Sequence, residues 1–127
     1  MEDIINRYSP LALAFVGDAH YNLVVKQKAA ERYSRSKAMQ DYSIRYCSAK
    51  GQAVIIHYLV DNGLLSEKEL EVYRRGRNAK GHEAPKNTDI VTYKVSTGFE
   101  SLWGYWYLSG QETRLEQVWS LIETLEV

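Results

Sequence analysis

Apolar residues recur at steps of three and four along most of this chain, which is the spacing that forms one face of a helix. Start and stop signals divide the pattern, such as Ser9-Pro10, the capping box Ser66–Glu69 and the stop at Asn62-Gly63. Together they predict helices over residues 10–28, 37–61, 66–75, 88–108 and 111–125, with a possible break at 96–98. No segment has the pattern of a strand or an internal repeat, so we predict an all-α fold.

The length and composition fit one compact domain, residues 1–127. The chain has 127 residues, of which 45% are hydrophobic and 25% charged, enough for a core but not for two ordinary domains. The helix over 10–28 is apolar on most sides and is expected to be central and buried. Residues 76–87 contain two glycines and one proline and are expected to form an exposed loop, with Asp89 as N-cap of the helix that follows.

The cysteine count and the hydropathy of the chain indicate in which cellular compartment the protein is expected. Cys47 is the single cysteine, which excludes an internal disulfide and a cysteine-based zinc site. Its helical surroundings predict that it packs as a small hydrophobic side chain. The sequence shows no signal-peptide pattern and no apolar run long enough to span a membrane. We therefore expect a cytoplasmic protein without membrane association.

The formal net charge is zero, yet the charges are unevenly distributed along the chain. Residues 26–50 carry seven Lys and Arg against two acids, and residues 74–86 carry five against one. Residues 61–73 and 99–127 are acidic by three and four charges respectively. The basic stretches are candidates for phosphate contacts if the fold brings them to one face, and plain solvated surface is the alternative.

Two acidic residues interrupt apolar helical patterns, Asp18 within residues 11–19 and Glu100 within residues 96–108. An ionised acid that is buried without a partner is costly, or takes up a proton because its pKa rises. Gly17 precedes Asp18, and Gly104 follows Glu100 by one turn, which indicates the close approach of another helix or a ligand. Two acids, each with a glycine nearby that leaves room for a neighbour, suggest two halves of one site, and such a pair could share a divalent cation.

A simpler interpretation of the two acids remains open. Each acid would satisfy a single buried partner, such as Arg45 or Lys94, or would cap a neighbouring helix. The three histidines show no metal-ligand spacing, and we expect structural or surface roles for them. His20 stands two residues after Asp18 and therefore points away from it, and is expected to be structural or interfacial; His57 lies in a helix and His82 in the loop.

Several segments taken together resemble a known family. Phe15–Ala19 resembles the signature helix of the ribonuclease III catalytic domain, and Phe99–Leu108 resembles its second acidic helix. The chain is similar in particular to the compact Mini-III branch, which lacks a separate double-stranded-RNA-binding domain. The supporting segments, which extend this resemblance over essentially the whole chain in the right order, are Leu11–Ala14, Ser48–Ala53, Arg74–Lys80 and Pro85–Asp89.

The resemblance implies a helical endonuclease domain that works as a homodimer. It implies Mg²⁺-dependent hydrolysis of double-stranded RNA that leaves 5′-phosphate and 3′-hydroxyl ends, with Asp18 and Glu100 as the catalytic residues and metal ligands. It also implies a role in trimming a stem of precursor 23S ribosomal RNA, with a large-subunit ribosomal protein as a further candidate partner. Larger members of the family carry acids at the positions of Leu11, Ala14 and Thr97, which predicts weaker metal binding here.

The basic segment at 74–80 is the expected RNA contact. Cationic and amide side chains there suit the phosphates and 2′-hydroxyls across the minor groove of A-form RNA. Lys50 and Lys86 are weaker candidates. Two further functions stay open, a catalytically silent RNA-binding module and a helical dimer that mediates protein contacts. The predicted RNA contacts at this segment are Arg74, Arg75, Arg77, Asn78 and Lys80.

Overall fold

The computed structural model describes residues 3–81 and 83–125. All regular structure in this part of the chain is helical, which confirms the all-α prediction. None of the described helices is long and apolar enough to cross a membrane. The helices are α1 (Ile4–Arg7), α2 (Pro10–Arg32), α3 (Ser36–Cys47), α4 (Ala49–Asp61), α5 (Glu67–Arg77), α6 (Ile90–Leu108) and α7 (Glu112–Glu123).

Helix α6 is the centre of the fold. Ten of its residues are buried, and α2, α4, α5 and α7 all pack against it. Its large aromatic side chains Phe99, Trp103 and Trp106 are almost completely enclosed and supply much of the apolar core. The prediction that the first long helix would be central is wrong. Helix α2 buries one side only, because Phe15 is 81% and Leu23 60% exposed on the other.

A break at Ser48 divides the single helix predicted over 37–61 into α3 and α4. Ser48 has an extended ψ of 156°, and its hydroxyl oxygen accepts a hydrogen bond from the Gly51 amide at 3.0 Å. The Ser side chain thus acts as an N-cap, a role in which it competes with helix continuation. The break turns α4 towards α6, so that residues early in α4 reach the interior.

Helix α5 ends later than predicted, at Arg77 rather than at about residue 75. Gly76, predicted to begin the loop, is buried inside the helix, where an added methyl group would overlap the Ser101 side chain on α6. Close packing of α5 on α6 therefore extends the helix by two residues. The last turn of α5 thus holds three of the predicted RNA contacts, Arg74, Arg75 and Arg77.

The remaining boundaries follow local capping. Asp89 is the N-cap of α6, as predicted, and accepts a hydrogen bond from the Thr92 amide at 3.2 Å. The possible break at 96–98 is absent, because α6 runs without interruption through these residues. The Ser96 and Thr97 hydroxyls both donate to the carbonyl of Tyr93 one turn earlier, which satisfies them inside the helix. The four-residue α1 was not predicted.

The predicted capping box joins a buried network between helices. Ser66 caps α5, and Glu69 completes the capping box by accepting from the Ser66 amide at 2.9 Å. The Glu69 carboxylate also accepts from the Trp106 indole at 2.6 Å and from the Arg114 guanidinium at 2.8 Å. This arrangement satisfies a nearly buried charge and connects α5, α6 and α7.

Candidate active site

Helices α2 and α6 cross with their backbones in direct contact. A methyl group added to Gly17 would overlap the carbonyl oxygen of Glu100 and lie 2.7 Å from the Gly104 amide nitrogen. A methyl group added to Gly104 would overlap the carbonyl oxygen of Leu13. Only residues without a Cβ permit this approach. The crossing places Asp18 of α2 next to Glu100 of α6.

The structure brings the two predicted acids into contact at the crossing of α2 and α6. Asn22 donates to Asp18 Oδ1 at 3.0 Å, and Gln52 donates to Glu100 Oε2 at 3.4 Å. Burial of Glu100, together with the adjacent Asp18, raises the pKa of the Glu100 carboxyl to about 9. The expectation that both acids are buried is wrong for Asp18, which is exposed because its side of α2 faces an open cleft, and Glu100 is only half-buried.

The alternative in which each acid pairs with a cation is not what the structure shows. No ion pair among the described residues involves Asp18 or Glu100. Arg45 and Lys94, the two cations considered from the sequence, are both exposed. Amide groups and the other acid are therefore the neighbours of each carboxylate, and no cationic side chain in the described part of the chain compensates their charge.

Both acids line a cleft of about 510 Å³. The three positions at which the family resemblance expects additional acids, Leu11, Ala14 and Thr97, lie in the wall of the same cleft. No Lys or Arg among the described residues lines it. The full lining is Leu11, Ala14, Phe15, Asp18, Gly81, Glu83, Tyr93, Thr97 and Glu100.

Three polar residues at or behind the cleft were not singled out from the sequence. Glu83 and Tyr93 line the cleft, and Gln52 is buried behind Glu100. Gln52 stands on an otherwise apolar face of α4, and this pattern is the same signal that drew attention to the two acids. Glu83 lies in a loop, where helical periodicity gives no information about direction.

The donor set suits a divalent cation that is held by few protein ligands. Two carboxylates are hard oxygen ligands of the kind that Mg²⁺ prefers. Within residues 3–81 and 83–125, however, no group of three or more His, Cys, Asp or Glu side chains is arranged to hold a metal ion. Water and substrate oxygens would have to complete the coordination.

The predicted RNA contacts lie at the end of α5 and in the loop that follows. Arg74 and Arg75 are exposed and line a shallow concavity with Asn78, the C-cap residue. The guanidinium of Arg77 lies 5.3 Å from the centre of the Tyr73 ring and donates to Asn78 Oδ1 at 3.1 Å. The loop continues through the exposed Lys80 to Gly81 and Glu83 in the cleft wall, and thus connects the basic surface to the acids.

The remaining residues considered from the sequence have packing roles. His20 accepts a hydrogen bond from the Trp103 indole at Nδ1 (2.9 Å) and stacks on Tyr107, and burial lowers the pKa of its imidazole. Cys47 is half-buried, and burial raises the pKa of its thiol to about 12, which leaves it protonated and unreactive at neutral pH. His82 lies outside the described residues.

The raised pKa of Glu100 predicts that stability falls as pH rises when no divalent cation is present. The pKa is about 9 in the folded chain against an ordinary value of 4.5, so the folded state holds this proton more tightly. The resulting stabilisation is complete below the ordinary pKa and is lost as pH rises through the folded-state value. In EDTA, the Tm of the parent should therefore fall more steeply over this range than that of Glu100→Gln, measured by calorimetry. Parallel curves would contradict this assignment.

The chain is similar to known proteins over most of its length. Residues 11–111 match the family model described as Ribonuclease III domain. The Mini-ribonuclease 3 of Symbiobacterium thermophilum is 49% identical over 110 residues, covering 86% of this chain and 83% of the relative. Those of Enterococcus faecalis and Streptococcus pneumoniae are 41% and 38% identical, covering 85% and 90% of this chain and 83% and 90% of the relatives.

A crystal structure of a Fusobacterium nucleatum protein, 24% identical, has a TM-score of 0.84 and covers 96% of this chain and 98% of that one, which shows a shared fold. The helical fold and the matched domain make this chain an endoribonuclease of the ribonuclease III domain family. Within that family it belongs to the Mini-ribonuclease 3 group.

Proposed function

We propose that the chain is a Mg²⁺-dependent endoribonuclease that cleaves double-stranded RNA and leaves 5′-phosphate and 3′-hydroxyl ends. The observation that carries this proposal is the Asp18–Glu100 pair, two carboxylates in contact at an open cleft with no cationic side chain beside them. Burial and the adjacent Asp18 raise the pKa of Glu100, so this carboxyl holds a proton in the free protein and is suited to exchange it for a divalent cation.

Asp18 and Glu100 would hold the cation, and each has a distinct environment. When bound, Mg²⁺ neutralises phosphate charge and helps to generate a hydroxide nucleophile from water. Glu100 lies deeper and is fixed by Gln52, which suits direct ligation. Asp18 is exposed at the cleft, where its carboxylate can accept hydrogen bonds from water and orient the attacking molecule. The water oxygen forms a bond to phosphorus and releases a proton to solvent, while the P–O3′ bond breaks and the 3′ oxygen takes up a proton from solvent to leave as a hydroxyl.

A cleavage assay tests this function. The purified chain is incubated with a long RNA duplex in Mg²⁺ and, separately, in excess EDTA, and the product ends are identified by phosphatase and ligase treatment. We expect cleavage only with Mg²⁺, and products that carry 5′-phosphates. Binding of the duplex without cleavage would favour a silent RNA-binding module, a function suggested by the absence of acids at Leu11, Ala14 and Thr97. Absence of both binding and cleavage would favour a protein-interaction role.

The basic end of α5 is proposed to bind the RNA backbone. Replacing Arg74, Arg77 and Lys80 together by Gln removes three exposed or half-exposed cations from this surface. Because each neutralised phosphate contributes about 0.9 to the slope of log K against log salt, the slope should become smaller by roughly 2 to 3. Fluorescence anisotropy of a labelled duplex in EDTA at several salt concentrations measures it. Lys68→Gln, whose ammonium group already contacts Asp3 at 2.7 Å, is the control, and an unchanged slope in the triple variant would refute the assignment.

A homodimer is proposed from the exposed apolar side chains. Phe15 at the edge of the cleft, Leu23 on the same side of α2 and Ile44 on α3 are 81%, 60% and 64% exposed. Apolar exposure of this kind marks interaction surfaces, and a duplex offers two strands to two sites. Sedimentation velocity should give twice the monomer mass for the parent and a shift towards monomer for Phe15→Glu. A parent that sediments as a monomer at every concentration would contradict the dimer.

The natural substrate is proposed to be a base-paired stem of precursor 23S ribosomal RNA, processed in the cytoplasm. The support is the resemblance to the Mini-III branch, together with a cleft and basic surface that suit backbone contacts rather than base recognition. A large-subunit ribosomal protein is a candidate partner on the same ground. Cleavage of a stem assembled from the two precursor ends, compared with an unrelated duplex of equal length, tests the preference.

A further inference from the structure

A buried glutamine touches one of the proposed metal ligands. Gln52 lies in the first turn of α4 and is only 1% exposed. Its amide nitrogen donates to Glu100 Oε2 at 3.4 Å and to the backbone carbonyl of Cys47 at 3.3 Å. A buried amide that lacks hydrogen bonds is costly, so these two contacts account for a polar group at a position that an apolar side chain would otherwise fill.

The break between α3 and α4 is what brings Gln52 to the site. Helix α3 ends before Ser48, and Ser48 is the N-cap of α4. Gln52 lies four residues after this cap. The last carbonyl of α3, that of Cys47, is thereby left for the Gln52 amide to satisfy. The amide is thus held from one side by rigid backbone and bonds to Glu100 from a fixed position.

We propose that Gln52 is a positioning residue that fixes the carboxylate of Glu100 for binding a divalent cation. This inference rests on the proposed function, because it concerns the cation that the two acids would hold. Among the described residues, Gln52 is the side chain that donates a hydrogen bond to the Glu100 carboxylate. Leu11, Ala14 and Thr97 stand in the places of further acids. Glu83, the remaining acid in the cleft wall, lies in a loop, and within the described residues it forms no group of three metal-ligating side chains with Asp18 and Glu100.

The expected loss of cation affinity can be estimated from the known role of groups that hydrogen-bond to metal ligands. Groups that hydrogen-bond a ligand hold it in one orientation, and their loss typically costs about 10- to 100-fold in metal affinity. A site with only two protein carboxylates has little redundancy, since an untethered Glu100 carboxylate removes half of the protein ligand set. Loss of the Gln52 amide should therefore weaken cation binding more than it weakens the reaction once the cation is bound.

The test uses Gln52→Met, which keeps the length and flexibility of the side chain but removes the amide. Two quantities are measured, the Mg²⁺ concentration that gives half-maximal duplex cleavage, and the Mg²⁺-induced rise in Tm of the protein without RNA. We expect the half-maximal concentration to increase about 10- to 100-fold, with kcat at saturating Mg²⁺ within a few-fold of the parent. The Tm rise should require correspondingly more Mg²⁺.

Control variants separate positioning from general destabilisation. Gln40→Met makes the same change at an exposed position of α3, and Val118→Ala destabilises the core on α7 away from the cleft. Both should keep the parental Mg²⁺ dependence. Gln52→Asn, whose amide is one methylene shorter, provides a second variant that retains a polar group near the Cys47 carbonyl, and it should shift the Mg²⁺ dependence in the same direction.

The outcomes are distinguishable. If the parent does not cut the duplex, the proposed function fails. If the parent cuts and a folded Gln52→Met or Gln52→Asn shows the parental Mg²⁺ dependence in both measurements, the positioning role is refuted while the function stands. An equal shift in Val118→Ala would assign the effect to stability and would also refute it.

Discussion

Replacing Asp18 by Asn or Glu100 by Gln is expected to lower kcat for duplex cleavage by about 10³-fold, equivalent to about 4 kcal/mol of transition-state stabilisation. Each change keeps the shape of the side chain and removes its negative charge. The site has two carboxylates in contact and no group of three acidic, His or Cys ligands within residues 3–81 and 83–125, so neither acid has a substitute for holding a cation. Single-turnover cleavage at saturating enzyme and Mg²⁺ measures the change.

Folding does not account for this loss in the case of Glu100. The pKa of its carboxyl is raised to about 9 by burial and by Asp18, so the ionised acid opposes folding at neutral pH when no cation is bound. Glu100→Gln should therefore be at least as stable as the parent in EDTA while it is inactive. Glu112→Gln, an exposed acid in the first turn of α7, is the matched control and should retain full activity. A Glu100→Gln enzyme within tenfold of the parent would exclude Glu100 as an essential ligand.

Sequence periodicity predicted the acidic pair because the relevant signal is local. A single acid in an apolar helical pattern, with a glycine beside it or one turn away, indicates a close contact on that side of the helix. Both Asp18 and Glu100 stood out in this way, and the structure places them in contact. The exposure of Asp18 could not be predicted, because it depends on a cleft formed between α2 and the loop that contains Gly81 and Glu83, far away in the sequence.

The wrongly predicted helix boundaries also depend on contacts between residues that are far apart in the sequence. The predicted helix over 37–61 followed a continuous apolar pattern, and the Ser48 cap that divides it is a weak signal inside such a pattern. The predicted end of α5 relied on Gly76, a residue that ordinarily favours a stop. Here its missing side chain serves the packing of α5 on Ser101 of α6 instead. In both cases tertiary contacts decided between two locally reasonable structures.

The two glycines at the α2–α6 crossing lead to the second large effect. In Gly17→Ala, the added methyl group would overlap the Glu100 carbonyl oxygen, which is backbone and cannot rotate away. In Gly104→Ala, it would overlap the Leu13 carbonyl oxygen in the same manner. The helices must therefore separate, and overpacking of this kind costs about 1 to 3 kcal/mol or more. Denaturant unfolding should show this loss for both variants.

Activity should fall further than stability, because the same crossing sets the distance between Asp18 and Glu100. A displacement of about 1 Å at a catalytic centre can cost on the order of 10²-fold in rate. We expect folded Gly17→Ala and Gly104→Ala to lose about that much in kcat/KM at saturating Mg²⁺, measured where each variant remains native. Ala30→Ser, which adds one atom to an exposed position of α2, should change neither quantity. If Gly17→Ala has the same free energy of unfolding and the same kcat/KM as the parent, the close crossing is not what holds the two acids in place.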